Sequence, residues 1–153
     1  MPGNLNSQRA IAKSIIRKKM KIKLVHKDDR GSTYSITGRE LCGLPEVALF
    51  YTKQGYARGG CVHHGYDEDF LLLKGEIHFF DDKTTFALSS GENFHINKGT
   101  AHGFKALTDC VCIEVGVPPE HKGDKDKRMH EKIARINEKN RADTSRVSDV
   151  GKK

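Results

Sequence analysis

From residue 21 to residue 117 the chain breaks into short strand-like runs that recur about every 8 to 12 residues. They are KIKLVH (21–26), STYSI (32–36), EVALFYT (46–52), GYARGGCVHH (55–64), DFLLLKGEIHFF (69–80), TTFALS (84–89), NFHIN (93–97) and HGFKAL…CVCIEVGV (102–117). Gly- and Asp-rich breaks such as DDRG, CGLP, DDK, SSGE and NKGTA separate them. Strands at this rhythm, with almost no helical spacing between them, restrict the chain to an all-β sandwich or closed barrel. With 153 residues one domain is expected, large enough for a real core.

The two ends read differently. Residues 7–24 begin with helical spacing, Ile11 and Ile15 on one face, so residues 1–20 are expected to form a basic arm or helix. Residues 118–153 are expected to hold a basic amphipathic helix over 127–140, carrying Met129, Ile133 and Ile136, and then a disordered tail. The net charge of +7 is concentrated in these flanks. Residues 1–28 hold eight Lys/Arg against one Asp, whereas residues 29–117 hold eight against twelve acidic residues. A nucleic-acid-binding fold normally carries its basic surface on the folded body, so this pattern argues against nucleic acid as a partner. No apolar run approaches the roughly 18 residues of a spanning helix, so a cytoplasmic protein without membrane contact is expected. Four cysteines without a CxxC pair are expected to be reduced thiols packed as small apolar groups.

The chemistry concentrates in CVHHGYDEDFLLLKGEI (61–77) and GENFHINKGTAH (91–102). His64 is followed by three residues, Glu68, six residues and Gly75. Gly91 is followed by five residues, Asn97-Lys98-Gly99, two residues and His102. In this spacing and order the two stretches resemble the paired motifs of the cupin superfamily, over about residues 21–117. The resemblance implies a single-domain jelly-roll barrel with short N- and C-terminal helices. The chain departs from the pattern at Val62, where the first histidine of HxH would stand, and at Asn97, where the family has proline.

In that family two or three imidazoles and one carboxylate face the barrel interior and bind a divalent metal. Carried over, the resemblance implies His64, Glu68 and His102 as ligands of a first-row ion such as Zn, Mn, Fe or Ni. Adjacent residues of a regular strand point to opposite faces, so His64 inward places His63 outward. A bulge at Gly59-Gly60 would turn His63 inward as an additional ligand. Otherwise His63 stands at the rim as a base.

A narrower similarity, LSSGENFHINKGTAHGFKALTDCVCIEV (88–115) together with DDRGSTYSI (28–36) and ARGG (57–60), is to the dTDP-4-dehydrorhamnose 3,5-epimerases and related sugar-nucleotide cupins. Those enzymes move a proton next to a ketone without a metal. The similarity implies His102 on the enolate oxygen. It puts Cys61 at the family's base position, which His63 would fill only with a shift of two residues, and Val115 at the tyrosine position. The expectation is therefore a small cupin acting on a carbohydrate or sugar nucleotide as an isomerase or epimerase. His63 and His102 are its candidate catalytic residues, with Arg58 and Tyr66 contacting the substrate. A metal-dependent oxygenase and a non-catalytic ligand-binding cupin are the alternatives on the same scaffold, and a homodimer is the expected assembly.

Overall fold

The structure is a computed structural model that describes residues 21–37, 47–116 and 123–150, with the side chains of residues 149 and 150 outside the description. The strands are β1 (Lys21–Asp28), β2 (Gly31–Thr37), β3 (Val47–Thr52), β4 (Ala57–Gly59), β5 (Cys61–Val62), β6 (Glu68–Lys74), β7 (Glu76–Phe80), β8 (Thr85–Ser89), β9 (Asn93–Ile96), β10 (Gly103–Ala106), β11 (Cys110–Val115) and β12 (Asp124–Lys125). One helix, α1 (Lys127–Val150), follows. The larger sheet has the order β1-β2-β3-β11-β6-β9, the smaller β4-β10-β7-β8, and β12 pairs with β5. Every pairing is antiparallel. An all-β sandwich, one of the two forms the strand rhythm allows, is the architecture found, in the jelly-roll arrangement that the resemblance implies.

Alternation along each strand sets the core. Phe70 and Leu72 of β6, Cys110 and Cys112 of β11, Ile77 and Phe79 of β7, and Phe104 and Ala106 of β10 all face the space between the sheets. Phe70 lies 5.2 Å from Phe79 and 5.4 Å from Phe104, ring centre to ring centre, so the filling is aromatic. The run 69–80, continuous in sequence, is divided by Gly75, whose φ of 95° turns the chain from one sheet into the other. Leu72 is fully buried, whereas its neighbour Leu73 stands on the outer face.

The helix differs from expectation. It runs to Val150 rather than stopping near residue 140, so the stretch expected to be a disordered tail is helical as far as that residue. No Gly or Pro interrupts residues 124–150. Thr144 and Ser145 hydroxyls donate back to the carbonyls of Asn140 and Arg141, and Arg141 forms an ion pair with Asp29. Met129, Ile133 and Ile136 pack against Ala57, Val62, Phe80 and Ala101 on the outside of the smaller sheet. Asn137 serves the exposed edge of β4: the Ala57 N–H donates to its Oδ1 at 2.7 Å, and its Nδ2 donates to the Ala57 carbonyl at 3.1 Å. Ile133→Ala is expected to cost about 2–4 kcal/mol, read by thermal or urea denaturation. An unchanged midpoint would mean that α1 contributes little to the packing. Residues 1–20, with the expected N-terminal arm or helix, and Cys42 lie outside the described residues.

Candidate metal and proton-transfer site

Four side chains converge at one end of the sandwich. Glu68 opens β6 and points inward with Phe70 and Leu72; it is 3% exposed. Glu114 sits on the inward face of β11, following Cys110 and Cys112 by the same two-residue step. His102 lies just before β10, its ring stacked on Phe79 at 5.7 Å and 16°. Its Nδ1 is 3.1 Å from the Thr100 carbonyl, a bond it makes as donor. That bond leaves Nε2 directed at Glu68 Oε2 and Glu114 Oε1, both 3.3 Å away. His63 completes the group, its Nε2 3.3 Å from Glu68 Oε1.

The Glu68 carboxyl is held under electrostatic pressure. Burial, then the charge and hydrogen bond of Glu114, push Glu68 up to about 8, against a smaller opposing pull from His102. Burial works to lower His102, but the hydrogen bond and charge of Glu114 and the charge of Glu68 outweigh it and raise the imidazole. Without a cation the group must therefore keep a proton at neutral pH. The donor set fits a divalent ion: ligand atoms of Glu68, His102 and Glu114 all lie within 4.8 Å of one another, and nitrogen and carboxylate oxygen suit first-row metals. The Nδ1 bond to a carbonyl is the usual orientation of a metal-binding imidazole.

Of the two arrangements left open for the adjacent histidines, the one found turns His63 inward, as a bulge at Gly59-Gly60 would, and leaves His64 outside. His63 turns toward Glu68 with its side chain 15% exposed, while His64 is 66% exposed and stands 3.7 Å from Asp124. The cause is the backbone between β4 and β5, where Gly59 and Gly60 both take positive φ, 116° and 94°. A Cβ on Gly59 would lie 2.6 Å from the His102 carbonyl oxygen, so only glycine permits this turn. The structure therefore leaves His64 out of the group and supplies Glu114 in its place. Alternation in CVCIEV could have marked Glu114, as a carboxylate ending an otherwise buried strand face.

Arg58 is also elsewhere. It is 6% exposed and bonds Thr52 Oγ1 at 2.9 Å, Thr33 Oγ1 at 3.3 Å and the Tyr51 carbonyl at 3.4 Å. These partners lie toward the Cys110 end of β11, roughly 13 Å along the strand from Glu114. Arg58 thus braces the sheets, away from Glu68. Tyr66 is half-buried and lines an open groove with Val62, His63, His64, Gly123 and Asp124. Cys61, two residues before His63, is half-buried, and burial with the Glu114 and Glu68 charges pushes its thiol up. The neighbouring segment packs closely: a Cβ on Gly123 would meet His63 Cε1 at 2.8 Å.

No family model and no curated protein matches the sequence. Solved structures do. CapF, crystallised with the inhibitor 3-isopropenyl-tropolone, is 26% identical with a TM-score of 0.51, over 69% of this chain and 32% of CapF. A second structure, of the capsular polysaccharide assembling protein CapF from Staphylococcus aureus, gives 21% identity and a TM-score of 0.55 over 74% and 34%. The chain therefore spans about a third of the length of CapF. KdgF from Halomonas sp. is 17% identical with a TM-score of 0.53, over 65% of this chain and 87% of that one. A predicted oxalate decarboxylase from Thermotoga maritima is 18% identical with a TM-score of 0.51, over 65% and 91%. Two sheets in jelly-roll order, bearing Glu68, Gly75, Gly99 and His102 at the spacing of the paired motifs, give the chain a fold similar to that of the cupins.

Proposed function

We propose that this chain is a small carbohydrate-processing cupin that moves a proton next to a carbonyl, as an isomerase or epimerase, with a divalent first-row metal at Glu68, His102 and Glu114. One observation carries the reading: a buried carboxylate, Glu68, lies 3.3 Å both from a histidine directed at a second carboxylate and from another histidine at the rim. The metal, when bound, supplies positive charge to a carbonyl or enolate oxygen. Glu68, Glu114 and His102 would hold it, the His102 imidazole being oriented by its Nδ1 bond to the Thr100 carbonyl. His63, oriented at Nε2 by Glu68 Oε1, carries the proton, and Tyr66 across its groove is the phenol nearest to hand for a substrate hydroxyl. The likeness to CapF, described as assembling capsular polysaccharide, supports carbohydrate as the substrate class.

Elemental analysis of purified protein, reloaded in turn with Zn, Mn, Fe and Ni, tests the metal. Near-stoichiometric ion in the wild type and at least a tenfold loss of affinity in His102→Ala and Glu114→Gln are expected. No ion in any sample sinks the metal assignment and leaves proton transfer to His63 and His102 alone. Wash-in of solvent deuterium next to the carbonyl of a panel of keto-sugars, followed by NMR, tests the proton transfer.

A further inference from the structure

We propose that a groove beside the metal-binding group is a subsite for one uncharged monosaccharide ring. This extends the carbohydrate reading above and rests on it for the identity of the reacting centre. The groove holds about 190 Å³, the room of roughly six waters and so of one sugar ring. One wall is aromatic. Phe86 is 45% exposed at the surface, its ring 5.5 Å from Phe94; Phe94 lies 5.1 Å from Phe79, and Phe79 stacks on His102. The line of rings therefore leads from solvent to the candidate ligands.

The rim is polar. Asp81, Asn97 and Thr100 line it. Asp81 uses Oδ1 to accept from the Lys83 and Thr84 amides and the Thr84 hydroxyl, which fixes the carboxylate, and no described residue bonds its Oδ2. Those amide bonds also hold it well below the usual carboxylate range, so it accepts and does not donate. An apolar face for ring C–H groups, edged by a fixed hydroxyl acceptor, is complementary to a pyranose. The charges lining the groove favour an uncharged ring over an anionic sugar. Among the described residues no Lys or Arg lines the groove, and the one basic side chain, His95, is already flanked by Asp69 at 2.9 Å and Asp67 at 3.5 Å. A phosphate or carboxylate entering there would meet Asp81 on this wall, whereas the cations near Asp81, Lys83 and the Arg128, Lys132 and Arg135 of the groove on its other side, do not line this one.

The test is an amide-shift NMR titration of the full chain in EDTA with methyl β-D-glucopyranoside, methyl α-D-mannopyranoside, N-acetylglucosamine, glucose 6-phosphate and glucuronate. Saturable shifts at Phe86, Phe94 and Thr100 from at least one neutral sugar are expected, at about millimolar affinity. Glucuronate and glucose 6-phosphate should bind at least tenfold more weakly, and Asp81→Asn should narrow that gap. Phe86→Ala should remove the shifts while the rest of the spectrum stays unchanged. Saturation by no neutral sugar, equal or tighter binding of the charged sugars, or shifts that map away from the groove would each overturn the proposal. Repeating the titration in Glu68→Gln separates the two readings: groove binding that survives there stands whether or not the metal assignment does.

Discussion

Glu68→Gln is expected to abolish binding of a divalent ion and, in the same protein, to raise the thermal midpoint of the metal-free form in alkaline buffer. The two effects have one cause. Glu68 is pushed up to about 8 in the fold from an ordinary value of 4.5. A carboxyl raised on folding contributes its stability fully below pH 4.5 and loses it as pH rises toward 8, because the unfolded chain ionises freely and the folded chain must ionise a buried group, beside Glu114. His102, also raised, acts in the same direction, since its favourable charge is lost as pH rises through its folded value. Glutamine removes the cost of ionising residue 68, on the order of 4 kcal/mol at pH 8.5, or roughly 8–16 °C in the midpoint. At pH 5 the two proteins should melt together. A wild-type midpoint in EDTA that does not fall relative to the variant between pH 5 and 8.5 would show that Glu68 is not under pressure from its neighbours. In the wild type, the added ion should recover the loss, because it replaces the proton that the carboxylates otherwise share.

His63→Ala should reduce solvent-deuterium wash-in by about 10²–10⁴-fold, the usual contribution of a positioned acid–base group. His64→Ala should leave it within about twofold. The adjacent histidines thus form an internal control, because one turns toward Glu68 and the other toward solvent beside Asp124. Metal content should hold in both variants if Glu68, His102 and Glu114 suffice. A large loss of exchange in His64→Ala with little change in His63→Ala would reverse the assignment of the proton carrier.

Glu68 and His102 were legible because their positions follow from spacing along single strands and tight turns, which a linear pattern records well. The choice between His63 and His64 stayed open, since it turns on whether Gly59 and Gly60 bulge the strand, and their two consecutive positive φ values are what settle it. Spacing alone does not record a bulge. Glu114 lies 46 residues beyond Glu68 and reaches it only through the β11–β6 pairing. Its signal was the in-out alternation of CVCIEV, a periodicity argument rather than a motif. Arg58 was read as a substrate contact from its place in ARGG, just before the first motif, yet Thr52 and Thr33 from two other strands receive it. The reach of α1 was under-read because its last turns carry few apolar residues. They are supported instead by hydroxyl-to-carbonyl bonds and one ion pair to a distant turn.

The pairing of β12 with β5 ties the chemistry to the far end of the chain. Residues 123–125 lie against the His63 ring and beside Cys61, and α1 begins two residues later. Any opening that lifts the helix from the smaller sheet also loosens the wall behind His63. The free energy of that opening therefore limits how long the imidazole stays in register. Amide exchange along Asp124–Ile133 should slow when the site is filled, so a reporter some distance from the carboxylates would register occupancy through the backbone alone.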